Sequence, residues 1–212
     1  MHVLITGANR GIGAELAKQY RNAGDSVTAT SRAGGEDMVA LNVTNAQSLQ
    51  TAASTLDTPI DLLICNAGVF LDRGQDLDTG FAAELWEQTF AANVTGVFHT
   101  VQTFLPHLSP NAKIAVISSQ MGSSERANGS AYIYRASKAA AANLAANLAV
   151  DLKPRGIAVG AYHPGWVITD MGGADAAVTV QASAQGLIQR FVALDMSTTG
   201  CFETFHGQAM PY

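Results

Sequence analysis

Short apolar runs alternate with longer amphipathic stretches along the whole chain. Consecutive apolar runs are typical of buried strands, and apolar residues spaced three or four positions apart indicate helices. The predicted strands span residues 3–6, 27–31, 38–41, 61–65, 114–117, 157–162 and 201–205. The predicted helices span residues 12–22, 46–56, 81–104 (two segments that meet near Ala92 and Asn93), 131–152 and 181–194. This alternation predicts βα units on a parallel sheet, a doubly wound α/β fold.

The length of 212 residues fits one domain with a sizeable core, spanning residues 1–212, and no linker or repeat divides it. One connection is unusual. Only residues 32–37 separate the second and third predicted strands, too few for a helical crossover between parallel neighbours. Two explanations stay open: the second helix has been reduced to a loop, or the third strand is wrongly assigned.

Composition and charge narrow the functional classes. Hydrophobic residues make up 48% of the chain and charged residues 14%, which is typical of a globular protein. The net charge of -5 argues against nucleic-acid binding, and the apolar stretch 139–150, interrupted by Asn143 and Asn147, is too short to span a bilayer. A strand pattern begins at once after Met1, with no secretory signal before it, so a cytoplasmic location is expected.

Cysteine and histidine spacing predicts neither a disulfide framework nor a metal site. Cys65 and Cys201 stand alone, as buried inert thiols do. The five histidines form no HExxH motif and no cluster with cysteine, so no metal is expected.

A glycine-rich turn follows the first predicted strand and precedes the first helix. Glycine allows the backbone to bend sharply and to approach a pyrophosphate, which the helix N-terminus then attracts. Tight βα turns also favour glycine for steric reasons alone, and the position between strand and helix favours the phosphate interpretation. The candidate cofactor-binding residues here are Gly7, Asn9, Arg10, Gly11, Ile12 and Gly13.

Basic residues near the second strand indicate which dinucleotide is bound. An NAD site usually has an acidic residue at the end of this strand, where the chain instead has Ser31 and Arg32. Two guanidinium groups, Arg10 and Arg32, together with the Ser31 hydroxyl suit a 2′-phosphate and predict NADP(H). The alternative is that both arginines are merely solvated.

Tyr134 and Lys138 share a face near the start of a predicted helix. The pair alone is a weak signal, but Ser119 ends a predicted strand, where α/β sheets place their ligands, and Asn93 lies in a flanking helix. A nearby ammonium and a positive nicotinamide would lower the pKa of Tyr134 toward the range useful for proton transfer. Ser119 could stabilise developing charge on a substrate oxygen. These residues predict hydride and proton exchange with a small carbonyl or alcohol.

The order of these motifs resembles that of the short-chain dehydrogenases/reductases over essentially the whole chain. The matching motifs are the glycine turn, Asn66-Ala67-Gly68, Asn93, Ser119, Tyr134 with Lys138, and Pro164-Gly165. The resemblance implies a single Rossmann-type domain of about seven strands in the order 3-2-1-4-5-6-7. It implies Tyr134 as acid/base, Lys138 on the nicotinamide ribose, and Ser119 on the carbonyl.

The resemblance also implies further roles along the cofactor. Asn93 would order a proton-relay water, and Asn66-Ala67-Gly68 would support the sheet and the adenosine ribose. Val167 and Thr169, after Pro164-Gly165, would contact the nicotinamide carboxamide. Asn42 and Val43 would lie near the adenine.

Several segments resemble more narrowly the compact subgroup that contains C-factor and sniffer-type carbonyl reductases. Three departures from the family pattern stand out: the truncated crossover after the second strand, Asn42 where an aspartate is usual, and a longer spacing between Ser119 and Tyr134. Tyr132 restores the usual spacing but has Ala136 four residues later in place of a lysine. Tyr134 is therefore the predicted acid/base.

The sequence constrains the substrate pocket and the oligomeric state less than it constrains the cofactor site. Phe70, Met121, Trp166 and Met171 follow strand ends and are candidates for an apolar substrate pocket, although core packing explains them equally well. The alanine-dense segment 139–149 suits close helix packing, either between subunits of the homodimer or homotetramer that the resemblance implies or within one chain.

Two other functional classes compete with an NADP(H)-dependent oxidoreductase. One is a nucleotide-binding signalling or regulatory protein with little catalysis, which gives no reason for Ser119 and Tyr134 to occur together. The other is a structural dimerisation module, which leaves the glycine turn and both arginines unexplained.

Overall fold

In the computed structural model, which describes residues 1–212, seven parallel strands form one sheet. The strands are β1 (His2–Ile5), β2 (Ser26–Ser31), β3 (Val39–Ala40), β4 (Ile60–Cys65), β5 (Leu108–Ile117), β6 (Ala158–His163) and β7 (Phe202–Thr204). The helices are α1 (Gly11–Asn22), α2 (Ala46–Ala53), α3 (Ala83–Phe90), α4 (Gly96–Phe104), α5 (Tyr132–Leu152) and α6 (Val180–Ala193). The strand order β3-β2-β1-β4-β5-β6-β7 confirms the predicted fold class.

Strand side chains alternate between two apolar layers, one on each face of the sheet. Leu4 and Leu63 face the layer completed by α2, α4 and α5, while Val3, Ile5 and Ile64 face the layer completed by α1 and α6. All five side chains are buried, and burying each stabilises the fold by about 1.5–3 kcal/mol. The strands therefore carry the near-continuous apolar runs seen in the sequence, because both faces of the sheet are covered.

The unusual connection between β2 and β3 is a loop. Thr30 pairs with Val39 and Ser31 with Ala40, in parallel, with no helix between the two strands. The loop turns back through Gly34, whose φ is +71°, and the Ser31 hydroxyl donates a hydrogen bond to the Gly34 carbonyl at 3.0 Å. The first of the two explanations is therefore correct: the crossover helix has been reduced to a loop.

The two helical segments predicted to meet near Asn93 are joined by a π-helical turn, Ala91–Thr95, between α3 and α4. Such turns insert an extra residue into a helix and often lie at functional sites. Here the π-helical turn contains the buried Asn93. The predicted break was correct, but its geometry was not readable from the apolar pattern.

Helix α5 directs its alanines into the core of the chain. Ala141, Ala142, Ala145 and Ala149 are all buried against the sheet and its neighbouring helices. Packing within one chain thus accounts for the alanine density, and oligomerisation stays a prediction. None of the helices combines the length and apolarity needed to cross a membrane.

Candidate active site

The carboxyl ends of the central strands open onto one cavity of about 570 Å³. Ser119 follows β5, Pro164 and Gly165 follow β6, Phe70 lies beyond β4, and Tyr134 faces in from α5. Parallel α/β sheets bind their ligands at this edge, because connections diverge there and leave a crevice. The topology thus brings residues far apart in sequence into one place.

The glycine turn between β1 and α1 is closely packed. Gly7 and Gly11 have φ values of +67° and +55°, a region that disfavours other residues. A Cβ at Gly13 would lie 2.4 Å from the Gly7 carbonyl oxygen, and one at Gly7 would lie 2.9 Å from the Cα of Ala67. Glycine is therefore required at both positions for the turn to pack this closely, as in the tight βα turn of a pyrophosphate site.

Asn66 fixes the shape of that turn. Its Nδ2 donates hydrogen bonds to the carbonyls of Thr6 (3.0 Å) and Gly7 (2.9 Å), and the Thr6 hydroxyl accepts from the backbone N–H groups of Asn66 and Ala67. Gly68 lies beside Asn93 and Lys138, since a Cβ there would be 3.1 Å from Asn93 Oδ1 and 3.4 Å from Lys138 Nζ. The segment predicted to support the sheet thus also joins the glycine turn to the proton-transfer residues.

The N-terminus of α1 leaves its first amides available. No side chain caps it, and its first turn contains no acidic residue. Free N–H groups and the positive end of the helix dipole suit a phosphate at this position. Asn9 is exposed at the turn and Ile12 lines the cavity.

The arginine expected to meet a 2′-phosphate is engaged elsewhere. Arg10 Nη1 pairs with Asp170 Oδ2 at 2.6 Å, which links the glycine turn to the segment after β6. Both side chains are largely exposed, so this pair is weak and can exchange for a better partner. The sequence pattern did not reveal this pairing with Asp170, and the role of Arg10 at a 2′-phosphate stays a prediction.

The other residues predicted to bind the adenosine part of the cofactor differ in which of their polar groups are free. Arg32 is exposed, whereas the buried Ser31 hydroxyl donates within its own loop. Asn42 Oδ1 accepts from the backbone N–H and the hydroxyl of Thr44. Val43 is buried and lies against Gly96 of α4, so only its backbone is free to face a ligand. Arg32 is the one free cation here.

Tyr134 and Lys138 are buried side by side on α5. Lys138 Nζ lies 5.7 Å from the centroid of the Tyr134 ring and donates a hydrogen bond to the Ile117 carbonyl at 2.9 Å. Ser119 Oγ accepts from the Met121 N–H at 3.1 Å, and the Ser119 hydroxyl opposes the rise in the pKa of Tyr134. Tyr132, the alternative with family spacing, is exposed and packs edge-on against Phe81. The geometry thus favours Tyr134 over Tyr132.

The Asn93 carboxamide is fully used by the protein. Its Oδ1 accepts from the Val69 N–H at 2.8 Å, and its Nδ2 donates to the Val69 carbonyl (2.9 Å) and to Ser137 Oγ (3.0 Å). The side chain therefore ties the segment after β4 to α5. Its predicted water-ordering role stays a prediction.

Burial shifts both proton-transfer groups away from their charged forms. It lowers the pKa of Lys138 to about 8 and raises the pKa of Tyr134 to about 12, the latter against opposing effects of Ser119 and Arg73. In the protein alone the pKa of Tyr134 is raised, because loss of hydration outweighs nearby charge, and the lowering expected beside a bound nicotinamide stays a prediction. A cation bound next to Tyr134 would act in the opposite direction.

A buried carboxylate that the sequence did not single out positions Tyr134. Asp72 Oδ2 accepts from the Ile133 N–H at 2.8 Å, and its Oδ1 accepts from the Tyr134 N–H at 3.2 Å. The side chain is 1% exposed and caps α5 from a distant loop, because the preceding Ala131 is in a left-handed conformation without a capping side chain. The 61-residue separation left no sequence signal for this contact.

The remaining predicted residues line the cavity. Gly165, Val167 and Thr169 form the wall next to the glycine turn; a Cβ at Gly11 would lie 3.3 Å from Thr169 Cγ2. The cavity lining also contains Pro164, Phe70, Met121, Trp166 and Met171. The four apolar candidates thus face the site. The Phe70 ring stacks on the Tyr134 ring with centroids 4.3 Å apart.

Comparisons with known proteins agree with this arrangement. The family model described as short chain dehydrogenase matches residues 1–178. A relative from Rhodococcus sp., 1-hydroxy-2-glutathionyl-2-methyl-3-butene dehydrogenase, is 31% identical and covers 97% of this chain and 96% of its own. C-signal from Myxococcus xanthus is 35% identical over 76% of this chain and 98% of its own.

A solved structure similar to this one is the NADPH-bound carbonyl reductase from chicken fatty liver. It superposes with a TM-score of 0.89 at 28% identity, covering 100% of this chain and 98% of that one. Fold, motif order and the family match therefore agree over most of the sequence. The chain belongs to the short-chain dehydrogenase/reductase family.

Proposed function

We propose that this protein is an NADP(H)-dependent oxidoreductase of the carbonyl reductase or alcohol dehydrogenase type. Its substrate is a small ketone, aldehyde or alcohol. The observation that carries the proposal is the placement of Tyr134 and Ser119 at a cavity of about 570 Å³ that extends to Ile12 at the start of α1. The buried Lys138 ammonium lies behind the phenol, 5.7 Å from the centroid of its ring. A binding module has no need for a phenol and a hydroxyl facing such a cavity.

The chain offers a continuous surface for the dinucleotide. The glycine turn and the amides of α1 would hold the pyrophosphate, Lys138 the nicotinamide ribose, and Val167 with Thr169 the carboxamide. When bound, the nicotinamide supplies or accepts the hydride. The close packing of the turn at Gly7 and Gly13, which leaves no room for a Cβ, supports this fit.

Tyr134 would deliver the proton to the substrate oxygen during reduction. Its high pKa keeps the phenol protonated at neutral pH, as a proton donor requires. Ser119 would donate a hydrogen bond to the same oxygen as negative charge develops. The Lys138 ammonium, still mainly charged at pH 7, would stabilise the phenolate that proton delivery leaves behind.

The preference for the phosphorylated cofactor rests on charge at the end of β2. Arg32 is exposed there, Arg10 is held only by an exposed ion pair, and the NADPH-bound chicken structure has the same fold. A guanidinium favours a phosphate over a hydroxyl by charge-assisted hydrogen bonds.

The test measures cofactor consumption with a panel of ketones and aldehydes, using NADPH and NADH in parallel. We expect turnover with NADPH, a much higher kcat/KM for NADPH than for NADH, and a loss of that preference in Arg32→Gln. Arg21→Gln, an exposed arginine on α1, serves as the control. Equal kcat/KM values for both cofactors would contradict the assignment of NADP(H).

A signalling or regulatory role without catalysis is the second candidate, because one relative is named C-signal. It predicts that NADPH binds, as seen by fluorescence, while no carbonyl compound in the panel is reduced.

We also propose a cytoplasmic location and, from the family resemblance, a homodimer or homotetramer. Sedimentation of the purified protein would reveal its oligomeric state.

A further inference from the structure

Three arginines surround the substrate side of the cavity, and we propose that they bind an anionic group of the substrate, a carboxylate or a phosphate ester. The three are Arg73, Arg126 and Arg135, and all line the same cavity as Tyr134. This inference rests on the proposed function and specifies its substrate: a carbonyl compound with an apolar body and a negative charge away from the reacting carbon.

The charge of this cavity is opposite to that of the whole protein. The chain has 17 acidic and 12 basic residues, yet the cavity is lined by three arginines and by no aspartate or glutamate. Walls of one sign in a partly enclosed space focus the electrostatic potential and attract the opposite charge. An anion is therefore favoured in this cavity although the protein as a whole is an anion.

None of the three guanidinium groups has a carboxylate partner. Arg135 donates to the carbonyls of Ser130 (3.1 Å) and Arg126 (3.2 Å), and Arg126 donates to Gln120 Oε1 at 3.0 Å. Arg73 donates to the Met171 carbonyl. Neutral acceptors thus orient the side chains while leaving their positive charge uncompensated.

The nearby carboxylates are engaged elsewhere. Asp72 accepts the amides that begin α5, and Asp170 is paired with Arg10. Asp76 accepts the backbone amides of its own turn, at Asp78 and Thr79. None of these carboxylates, nor Glu125 beside Arg126 in the sequence, forms an ion pair with the three arginines, so an anionic ligand can still bind to them.

The arginines lie close to the reacting groups but not on them. The Arg73 guanidinium lies 5.0 Å over the Phe70 ring, which itself stacks on Tyr134 at 4.3 Å. The arginines act on groups at the centre of the site: Arg73 opposes the rise in the pKa of Tyr134, to which burial and Asp72 contribute, and Arg126 adds to the effect of burial in lowering the pKa of His163. One aromatic ring, that of Phe70, thus lies between the proton donor and Arg73.

Apolar side chains line the same cavity as the three arginines and Tyr134. Phe70, Met121 and Met171 line the cavity next to the arginines. The cofactor phosphates have their own cations, since neither Arg10 nor Arg32 lines this cavity. The three arginines therefore suit a second anion, held across an apolar spacer from the carbonyl that Tyr134 protonates.

The test compares matched aldehydes with NADPH: 4-formylbenzoate, 4-formylphenyl phosphate and the neutral methyl ester of 4-formylbenzoate. We expect kcat/KM to be about tenfold higher for at least one of the anions than for the ester. The ratio of the two anions distinguishes a carboxylate substrate from a phosphate ester. Arg73→Gln, Arg126→Gln and Arg135→Gln should each reduce the anion preference, and Arg155→Gln, an exposed arginine after α5, should keep it.

Salt gives a second measurement on the unaltered protein, in case a variant does not fold. The anion preference should decline as NaCl rises to about 0.5 M, since the arginines at the cavity mouth are screened. Equal kcat/KM for the ester and both anions at low salt would overturn this inference and leave the proposed function intact. Absence of turnover with every aldehyde would contradict the proposed function, and this inference with it.

Discussion

Replacing Lys138 by methionine is expected to stabilise the protein while removing most of its activity. Lys138 is 6% exposed, and its ammonium has one hydrogen-bond acceptor within the protein, the Ile117 carbonyl. Methionine is similar in length and carries no charge to bury. The stability of the variant thus reports the free-energy cost of burying the cation, and its activity reports what the cation contributes to proton transfer.

The magnitude follows from the pKa of the buried amine. Burial lowers the pKa of Lys138 from 10.5 to about 8, and at about 1.4 kcal/mol per pH unit the charged form costs about 3 kcal/mol of stability at pH 7. Losing the hydrogen bond to Ile117 offsets about 1–2 kcal/mol of this. We expect a net stabilisation of about 1–2 kcal/mol for Lys138→Met.

The stabilisation should depend on pH in a defined direction. Between pH 8 and 10.5 the folded protein has lost the Lys138 proton while the unfolded chain still holds it. Stability of the unaltered protein therefore rises with pH in this window relative to a variant without the amine. The advantage of Lys138→Met should be largest below pH 8 and should shrink as the pH approaches 10.5.

Urea unfolding at several pH values measures this difference, and cofactor consumption measures activity. Lys153→Met, at an exposed lysine just after α5, is the control and should change stability little. We expect kcat to fall by about a hundredfold or more in Lys138→Met, because the phenolate loses its neighbouring charge. A destabilised Lys138→Met, or an advantage that grows with pH, would refute the reasoning.

Two further variants test how the site is held. Asp72→Asn should lose about 1–2 kcal/mol of stability, since the Asp72 carboxylate caps α5. It should also move the pH profile of kcat to lower pH, because removing the negative charge lowers the pKa of Tyr134. An unmoved pH profile would argue against electrostatic coupling between the two residues. Gly13→Ala places a methyl group 2.4 Å from the Gly7 carbonyl oxygen and should weaken NADPH binding in a fluorescence titration. Gly24→Ala, strained by its φ of +88° but in open space, should lose stability and keep NADPH affinity.

The fold was predictable because its signals are local. Buried parallel strands are apolar on both faces, so β1, β4 and β6 appear as short runs in the sequence, and the glycine turn marks the entry to α1. The short length of the segment between β2 and β3 was enough to indicate a possible loop in place of a helix. Its path was not predictable, because it depends on the hydrogen bond within the loop and on the conformation of Gly34.

The site was predictable where residue type and spacing carry the chemistry. Tyr134 and Lys138 are four positions apart on one helix, so a helix alone brings them together. The contact of Asp72 with α5 could not be predicted, because it arises from the tertiary fold and not from sequence spacing. The pairing of Arg10 with Asp170 escaped notice for the same reason, across 160 residues.

The direction of the Tyr134 pKa shift in the protein alone could not be predicted from the sequence either. Charge can be counted from residue types, but burial is a property of the folded chain, and here burial outweighs charge. The same burial holds the phenol against Phe70 and keeps it protonated.

The central claim is that the Tyr134 hydroxyl supplies the proton at a site that binds NADPH independently of it. Single-turnover reduction of an aldehyde by protein preloaded with NADPH tests it most directly, in the unaltered chain and in Tyr134→Phe. The account predicts NADPH affinity within about twofold of the unaltered protein and a reduction rate lower by about a hundredfold or more. An unchanged single-turnover rate in Tyr134→Phe would contradict it.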